Sequence, residues 1–133
     1  MQVELGSVAT TFSRAGGTIQ GELAACMRYY QTSLPPTSST HSLLTCQVVN
    51  AQNTEYTSGM RFAVPMRVAP TVTIFSRNNN SGKMSSIATG ADVTGTNQAA
   101  NIGVSQIWGF QSVSAGLTVG VGYEVSFNAS AEL

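Results

Sequence analysis

The sequence predicts an all-β protein, an antiparallel sandwich with one short helix near its N-terminus. From Leu43 onward, short strand-like segments are separated by turns rich in glycine, proline and asparagine. The last segment, Leu117–Ala129, has an apolar residue at every second position, which is the period of a strand. Helical spacing is confined to the stretch before the double proline Pro35-Pro36. One early helix followed by strands is typical of such a sandwich.

Composition restricts the functions that this chain can have. Its 133 residues suffice for one domain with a core. Only 9% are charged, the net charge is zero, and the six basic residues are scattered. Nucleic acid is therefore not an expected partner, because its phosphates require clustered basic side chains. Membrane insertion is not expected either, since no apolar run approaches about 18 residues. A neutral polar surface suits protein–protein packing or neutral ligands such as sugars.

The predicted helix covers Glu22–Gln31. Thr18 or Gly21 can cap it, and Glu22 in its first turn suits the helix dipole. One face carries apolar residues at helical spacing, and we expect this face to pack on the rest of the domain. Its members are Leu23, Cys26, Met27 and Tyr30.

The two cysteines, Cys26 and Cys46, are predicted to be small buried residues rather than a disulfide framework. A metal site requires more ligands, and His41 is the only histidine. The sequence thus predicts no metal and no cofactor.

Six strands follow in the predicted order. They are Leu43–Asn50, Thr57–Val64, Thr71–Ser76, a weak strand at Lys83–Thr89, Ile102–Phe110 and Leu117–Ala129. Arg77–Gly82, with three consecutive asparagines, is predicted to be a turn, and Gly90–Ala100 to be mostly loop.

The last predicted strand is long, so we expect it in the middle of a sheet with partners on both sides. Its apolar face should be buried; that face is Val119, Val121, Tyr123, Val125 and Phe127. The other face carries Gly120 and Gly122, and glycine in a strand often marks close approach of another backbone. We expect this face to lie near a subunit boundary or under a neighbouring segment. Glu124 then requires a partner, which Arg61 or Arg67 can supply.

Three segments, in this order, resemble the C-terminal (distal tip) domain of bacteriophage tail fibre and tailspike proteins. They are Gly-Glu-Leu-Ala-Ala-Cys-Met-Arg-Tyr-Tyr-Gln at 21–31, Phe-Ala-Val-Pro-Met-Arg-Val-Ala-Pro-Thr-Val-Thr-Ile-Phe-Ser at 62–76 followed by Gly82-Lys83, and the end from Tyr123 to Ala-Glu-Leu at 131–133. The opening, residues 2–12, is similar to a junction that leads out of a preceding fibre module. Residues 1–20 are accordingly assigned to an arm or linker and residues 21–133 to the tip domain.

The resemblance implies a homotrimer in the phage tail of the virion, assembled in the bacterial cytoplasm. Its partner is a host surface polysaccharide or lipopolysaccharide, unless the domain serves only to assemble the three chains. In a reducing cytoplasm both cysteines stay reduced. Together, pattern and resemblance predict a β-sandwich of jelly-roll type. A monomeric carbohydrate-binding module is the alternative of another class.

Two places are candidates for the glycan site. Trp108 offers an aromatic face for stacking on sugar rings, although a tryptophan between Ile107 and Phe110 can equally be a core residue. The predicted turn offers planar groups that suit sugar hydroxyls, or is an ordinary solvated turn. Its candidate ligand residues are Arg77, Asn78, Asn79 and Asn80.

Candidate interface residues between subunits are assigned from the bare strand face, the arginines and the adjacent tyrosines. They are Gly120, Gly122, Glu124, Arg61, Arg67 and Tyr29. Tyr29 and Tyr30 cannot both be buried by one helix, so one of them is expected to face a partner chain or solvent.

Enzyme activity is not predicted. A glycosidase requires two positioned carboxylates, and Glu124 with Asp92 is the least implausible pair in the chain. A serine or cysteine nucleophile would depend on His41, which has no obvious orienting acid in the sequence around it.

Overall fold

The computed structural model describes residues 17–33, 44–50, 55–57, 59–113 and 117–132. The predictions for residues 1–16 and for His41 lie outside this part of the chain. The described residues form one helix and nine strands. These elements are α1 (Ile19–Met27), β1 (Tyr30–Thr32), β2 (Leu44–Asn50), β3 (Glu55–Thr57), β4 (Met60–Arg61), β5 (Thr71–Phe75), β6 (Ser85–Ser86), β7 (Asn97–Ile102), β8 (Gln106–Ser112) and β9 (Gly122–Ser130).

Strand β9 has a partner on both edges along its length, which confirms the predicted central strand. Strands β1 and β5 pair with its C-terminal half, and β2 and β6 pair with its N-terminal half. It begins at Gly122 rather than Leu117, because a turn precedes it. In that turn Val121 N donates to the Thr118 carbonyl at 3.1 Å and Gly120 has a φ of 80°. Glycine adopts this left-handed conformation without steric cost.

Strand β2 joins two sheets. Its first residues, Leu44 to Gln47, pair with β9, and after a register shift its end pairs with β3. From β3 the hydrogen bonding continues to β8, which also pairs with β4 and β7. We call these the β9 sheet (β1, β5, β6 and β9) and the β8 sheet (β3, β4, β7 and β8). All of these pairings are antiparallel, and a strand that passes between two sheets is compatible with a β-sandwich.

A single hydrophobic cluster draws on both sheets and on the loops between them. Its buried members are Phe62, Met66, Ile74, Met84, Val93, Ile107, Phe110, Leu117, Tyr123, Val125, Phe127, Ala129 and Ala131. The predicted apolar face of the last strand is therefore confirmed for Tyr123, Val125 and Phe127. Val121 is partly buried, and Val119 was wrongly placed, since it lies in the preceding turn and is 52% exposed.

The opposite face of β9 is covered as well, by a neighbouring segment of the same chain. A Cβ on Gly122 would lie 2.9 Å from Cδ1 of Ile87, so the glycine admits this side chain. Glu124 is 4% exposed and Ser126 is fully buried. Neither face of β9 is open to solvent here, which for Gly122 and Glu124 confirms the second of the two arrangements expected for this face. The expectation was wrong for Gly120, which lies in the preceding turn, is exposed, and has no atom within 4 Å of where a Cβ would be.

The helix is shorter than predicted and begins earlier. Thr18 is its N-cap and accepts a hydrogen bond from Gly21 N at 3.0 Å, as one of the two predicted caps. Tyr30 and Gln31 belong to β1 instead of the helix. The expectation that an apolar helix face docks on the domain was wrong: Leu23 is 59% exposed and no residue of α1 is buried.

The cysteine prediction was also wrong in one respect, because Cys26 on α1 is exposed, with a free thiol. The side chain of Cys46 lies outside the description. No helix in the described part of the chain is long and apolar enough to span a membrane.

Strands β2 and β5 confirm two predicted segments, but others differ. The predicted strand at 57–64 is interrupted between β3 and β4. The predicted strand at 102–110 is a hairpin of β7 and β8, in which Gly103 N donates to the Gln106 carbonyl at 2.8 Å. Its first arm begins at Asn97 within the predicted loop, because polar residues gave that stretch no strand signal.

Burial in β9 and in the turn before it gives a matched pair of substitutions. Val125 in β9 is fully buried, and Val119, six positions earlier in the turn, is 52% exposed. We expect Val125→Asp to abolish folding, since it places an unpaired carboxylate in the core. Val119→Asp should change the free energy of unfolding by no more than about 0.5 kcal/mol. Urea denaturation followed by circular dichroism measures both, and equal effects of the two variants would contradict this assignment of faces.

Candidate functional site

Trp108 lies on the outer face of β8. The strand alternates, with Ile107 1% exposed and Trp108 54% exposed, and Gln106 on the same exposed side. The core interpretation of Trp108 is therefore wrong, and its indole contributes to the surface of the β8 sheet.

Strand β4 places its residues beside this tryptophan. Arg61 pairs with Gln106 and Met60 with Ile107, so the next position, Gly59, lies opposite Trp108. A Cβ on Gly59 would collide with the Trp108 carbonyl oxygen. Glycine at this position thus allows the close approach of the two backbones.

A groove of about 250 Å³ opens here, which we call the Trp108 groove. It is lined by Gly59, Met60, Arg61, Gln106, Ile107 and Trp108. An aromatic ring, a guanidinium group and a side-chain amide therefore surround one shallow depression, and all three of these side chains are exposed.

Strand β7 brings a further amide to the other side of Trp108. Ala100 pairs with Gly109 and Ile102 with Ile107, which puts Asn101 opposite Trp108. Asn101 is exposed and has a φ of 50°. Few residue types adopt this left-handed conformation readily, and asparagine is one of them.

The predicted turn at 77–80 is a closely hydrogen-bonded loop, which we call the asparagine loop. Asn78 donates to the Asp92 carboxylate at 2.9 Å, and Asn80 donates to its other oxygen at 2.6 Å. Asn79 lies at the bend, with a φ of 63° and its N–H bonded to the Ser76 carbonyl. Two of the three amides proposed for ligand contact are thus engaged within the chain.

Arg77 is engaged as well, with Glu124. Its Nε lies 2.6 Å from Oε1 of Glu124, and Nη2 donates to Oε2 at 3.2 Å. The contact of Nε is a close charge pairing without good hydrogen-bond alignment, since Oε1 has no geometrically acceptable donor. Arg77 is the partner that the buried Glu124 requires, so the expected pairing of Glu124 with Arg61 or Arg67 was wrong.

The carboxylates of Asp92 and Glu124 belong to one polar network. Ser85 donates to Asp92 at 3.1 Å and pairs with Glu124 between β6 and β9. Burial acts to raise the pKa of Asp92, but hydrogen bonds, led by that from Asn80, outweigh it and hold this pKa below its usual value. A glycosidase acid requires a raised pKa, so Asp92 is unsuited to that role.

A second groove, of about 520 Å³, runs along the helix, and we call it the helix groove. Its lining is mainly apolar and includes Leu23, Met27, Tyr30, Met60, Ala63 and Phe127. Met60 and Arg61 line this groove and the Trp108 groove, so the two grooves adjoin at β4.

Polar contacts hold the C-terminal end of the helix. The buried Gln31 amide donates to the Met27 carbonyl at 3.0 Å and to the Val64 carbonyl at 2.6 Å, and it accepts from Ala63 N at 3.1 Å. Arg67 lies over the Tyr29 ring at 5.2 Å, a cation–π contact. The helix is therefore attached at one end while its apolar residues remain exposed.

Among the described residues, no group of three or more histidine, cysteine, aspartate and glutamate side chains is arranged to hold a metal ion.

Comparisons with protein-family models, with curated proteins and with solved structures found no match to this chain.

Sequence reasoning missed three neighbours of Trp108. Gln106 could have been found from the sequence, because residues two positions apart on a strand lie on the same face as each other. Gly59 and Asn101 could not be found in this way, because only the registers of β4 and β7 against β8 bring them to Trp108.

The Arg77–Glu124 pair predicts a measurable coupling. Arg77→Met leaves a buried carboxylate without its partner and should lower the free energy of unfolding by about 1–3 kcal/mol, less than for a fully buried pair because Arg77 is half-exposed. Glu124→Gln removes the charge. In the double variant the loss should be smaller than the sum of the two single losses. Denaturant titration of the four proteins measures this, and strict additivity would show that the pair contributes nothing.

Proposed function

We propose that this chain is a receptor-binding tip domain of a phage tail fibre or tailspike, a jelly-roll sandwich that acts as a homotrimer in the virion and binds host surface glycans in the Trp108 groove. The observation that carries the proposal is the exposed indole of Trp108 beside Gly59.

Sugar recognition suits this groove chemically. Pyranose rings present apolar C–H faces that pack on an indole, and their hydroxyls pair with planar amides and guanidinium groups. Gln106 and Arg61 supply such groups on the same face as Trp108. The low charge of the whole chain, 9% of its residues, agrees with ligand recognition mainly by stacking and hydrogen bonds.

The asparagine loop is a weaker candidate for the same role. Arg77, Asn78 and Asn80 make contacts within the chain. A sugar would have to displace these hydrogen bonds, and the loss would offset much of the gain. We assign this loop to the stability of the domain.

Assembly without ligand binding is a second candidate function, and the exposed helix favours it. A nine-residue helix is marginal by itself, so burial of its apolar face is the usual source of stability. Ile19 is 64% exposed and Leu23 is 59% exposed. In a trimer we expect a second copy of the chain to cover this face and the adjoining helix groove.

Glycan binding predicts a specific loss in one variant. Trp108→Ala should reduce binding on a glycan array at least tenfold, because it removes the stacking surface, while the fold by circular dichroism is unchanged. Trp108→Phe should retain part of the binding. Asn79→Gly, which keeps the loop conformation, is the control and should bind as the parent does. Loss in Asn79→Gly with retention in Trp108→Ala would move the site to the asparagine loop.

The assembly function predicts that a substitution on the helix disrupts the trimer. Leu23→Asp should leave the secondary structure intact, because Leu23 is exposed within the chain. It should convert the trimer to smaller species in size-exclusion chromatography with light scattering. Val104→Asp, at a valine that is 44% exposed elsewhere on the surface, is the control. A trimer that persists in Leu23→Asp would exclude the helix face as the contact between copies.

A further inference from the structure

We propose that the Trp108 groove selects acidic sugars, with Arg61 binding the carboxylate of a uronic or related acid. The inference rests on the proposed glycan site and adds the chemical class of its ligand. It depends on the position of Arg61 beside Trp108 and on the absence of an ion pair to Arg61 among the described residues.

Arg61 is the cation beside the tryptophan. It pairs with Gln106 across β4 and β8, and directly opposed residues of a sheet share a face. Trp108 is two positions further along β8, which makes it a diagonal neighbour of Arg61. Diagonal neighbours lie about 7–8 Å apart, a spacing that a single pyranose ring spans.

The charge of Arg61 is not neutralised within the described residues. Arg77 forms its ion pair with Glu124 and Arg67 lies over Tyr29, whereas Arg61 is exposed and makes no ion pair there. Within the described part of the chain, no carboxylate competes with an external anion for this exposed guanidinium group beside Trp108.

The strand registers place the backbone of Glu55, on β3, far from that of Arg61. Its backbone pairs with Ser112, and Arg61 pairs with Gln106. The two positions on β8 are six residues apart, which is about 20 Å along a strand. Among the described residues that line the groove, Arg61 is cationic and none is acidic, although the net charge of the chain is zero.

An acidic sugar satisfies all three groups at once. Its ring stacks on Trp108, its carboxylate accepts two parallel hydrogen bonds from the planar guanidinium of Arg61, and a hydroxyl bonds with the Gln106 amide. A neutral sugar stacks equally well but leaves Arg61 with water. The difference in affinity between the acidic and the neutral sugar thus measures the contribution of Arg61.

The experiment uses two matched pairs of ligands: methyl β-glucoside with methyl β-glucuronide, and methyl β-galactoside with methyl β-galacturonide. Affinities of the full chain are measured by NMR titration at low and physiological salt. In at least one pair the acid should bind about tenfold more tightly or better, which is about 1.4 kcal/mol. Added salt should reduce the preference.

Variants of the protein then test whether Arg61 causes the preference for the acidic sugar. Arg61→Gln should remove it and leave the affinity for the neutral sugar unchanged, and Arg61→Lys should keep only part of it, because lysine is a point charge. Arg28→Gln, at an exposed arginine of the helix end, is the matched control and should keep the preference. Thermal melting confirms that each variant is folded.

The outcomes separate this inference from the proposed function. If acid and neutral sugars bind equally and Trp108→Ala abolishes both, the acidic preference is overturned and the glycan site stands. An acid preference that survives in Arg61→Gln overturns the role of Arg61. If no sugar of either pair binds, both the inference and the glycan site are overturned.

Discussion

The central position of β9 constrains the rest of the domain. β9 is hydrogen-bonded along both edges, and its side chains project from its two faces. Both faces are buried, since Val125 on one and Ser126 on the other are fully inaccessible. One face supplies the core. The other contains Glu124, whose carboxylate must be compensated, since burying an isolated charge is very costly. Arg77 provides that compensation from the loop after β5. The strand thus determines where an arginine and its loop have to lie.

Because Glu124 requires Arg77 as its partner, the surroundings of the two sheets differ. Arg77, Asn78 and Asn80 of the asparagine loop are exposed but bind Glu124 and Asp92, so their polar groups are engaged within the chain. The β8 sheet carries no comparable buried charge among its described residues. Its outer face is free to present Trp108, Gln106 and Arg61 together. The polar side chains of the loop therefore support a ligand site less well than the exposed tryptophan of β8, which is why we propose the site there.

The sequence predicted what depends on local alternation and failed where long-range pairing decides. The buried face of β9 follows from its period of two, and the helix cap Thr18 follows from its side chain. The orientation of Trp108 depends on which parity of β8 faces inward, and a shift of one residue reverses it. The pairing of Arg77 with Glu124 joins residues 47 positions apart. No local sequence pattern predicts such a contact. The apolar pattern of the helix likewise does not predict which surface the helix packs against.

The two grooves meet at β4, which connects the two proposed activities physically. Met60 and Arg61 border both. In the proposed trimer, a second copy in the helix groove would contact one side of β4 while the glycan occupies the other. Contact between copies would then restrict the motion of β4, a strand of only two residues, and hold Arg61 in position for its ligand. Three such sites on one rigid tip would also bind a polymeric glycan with avidity. Assembly and adhesion are in this arrangement two consequences of the same short strand rather than competing functions.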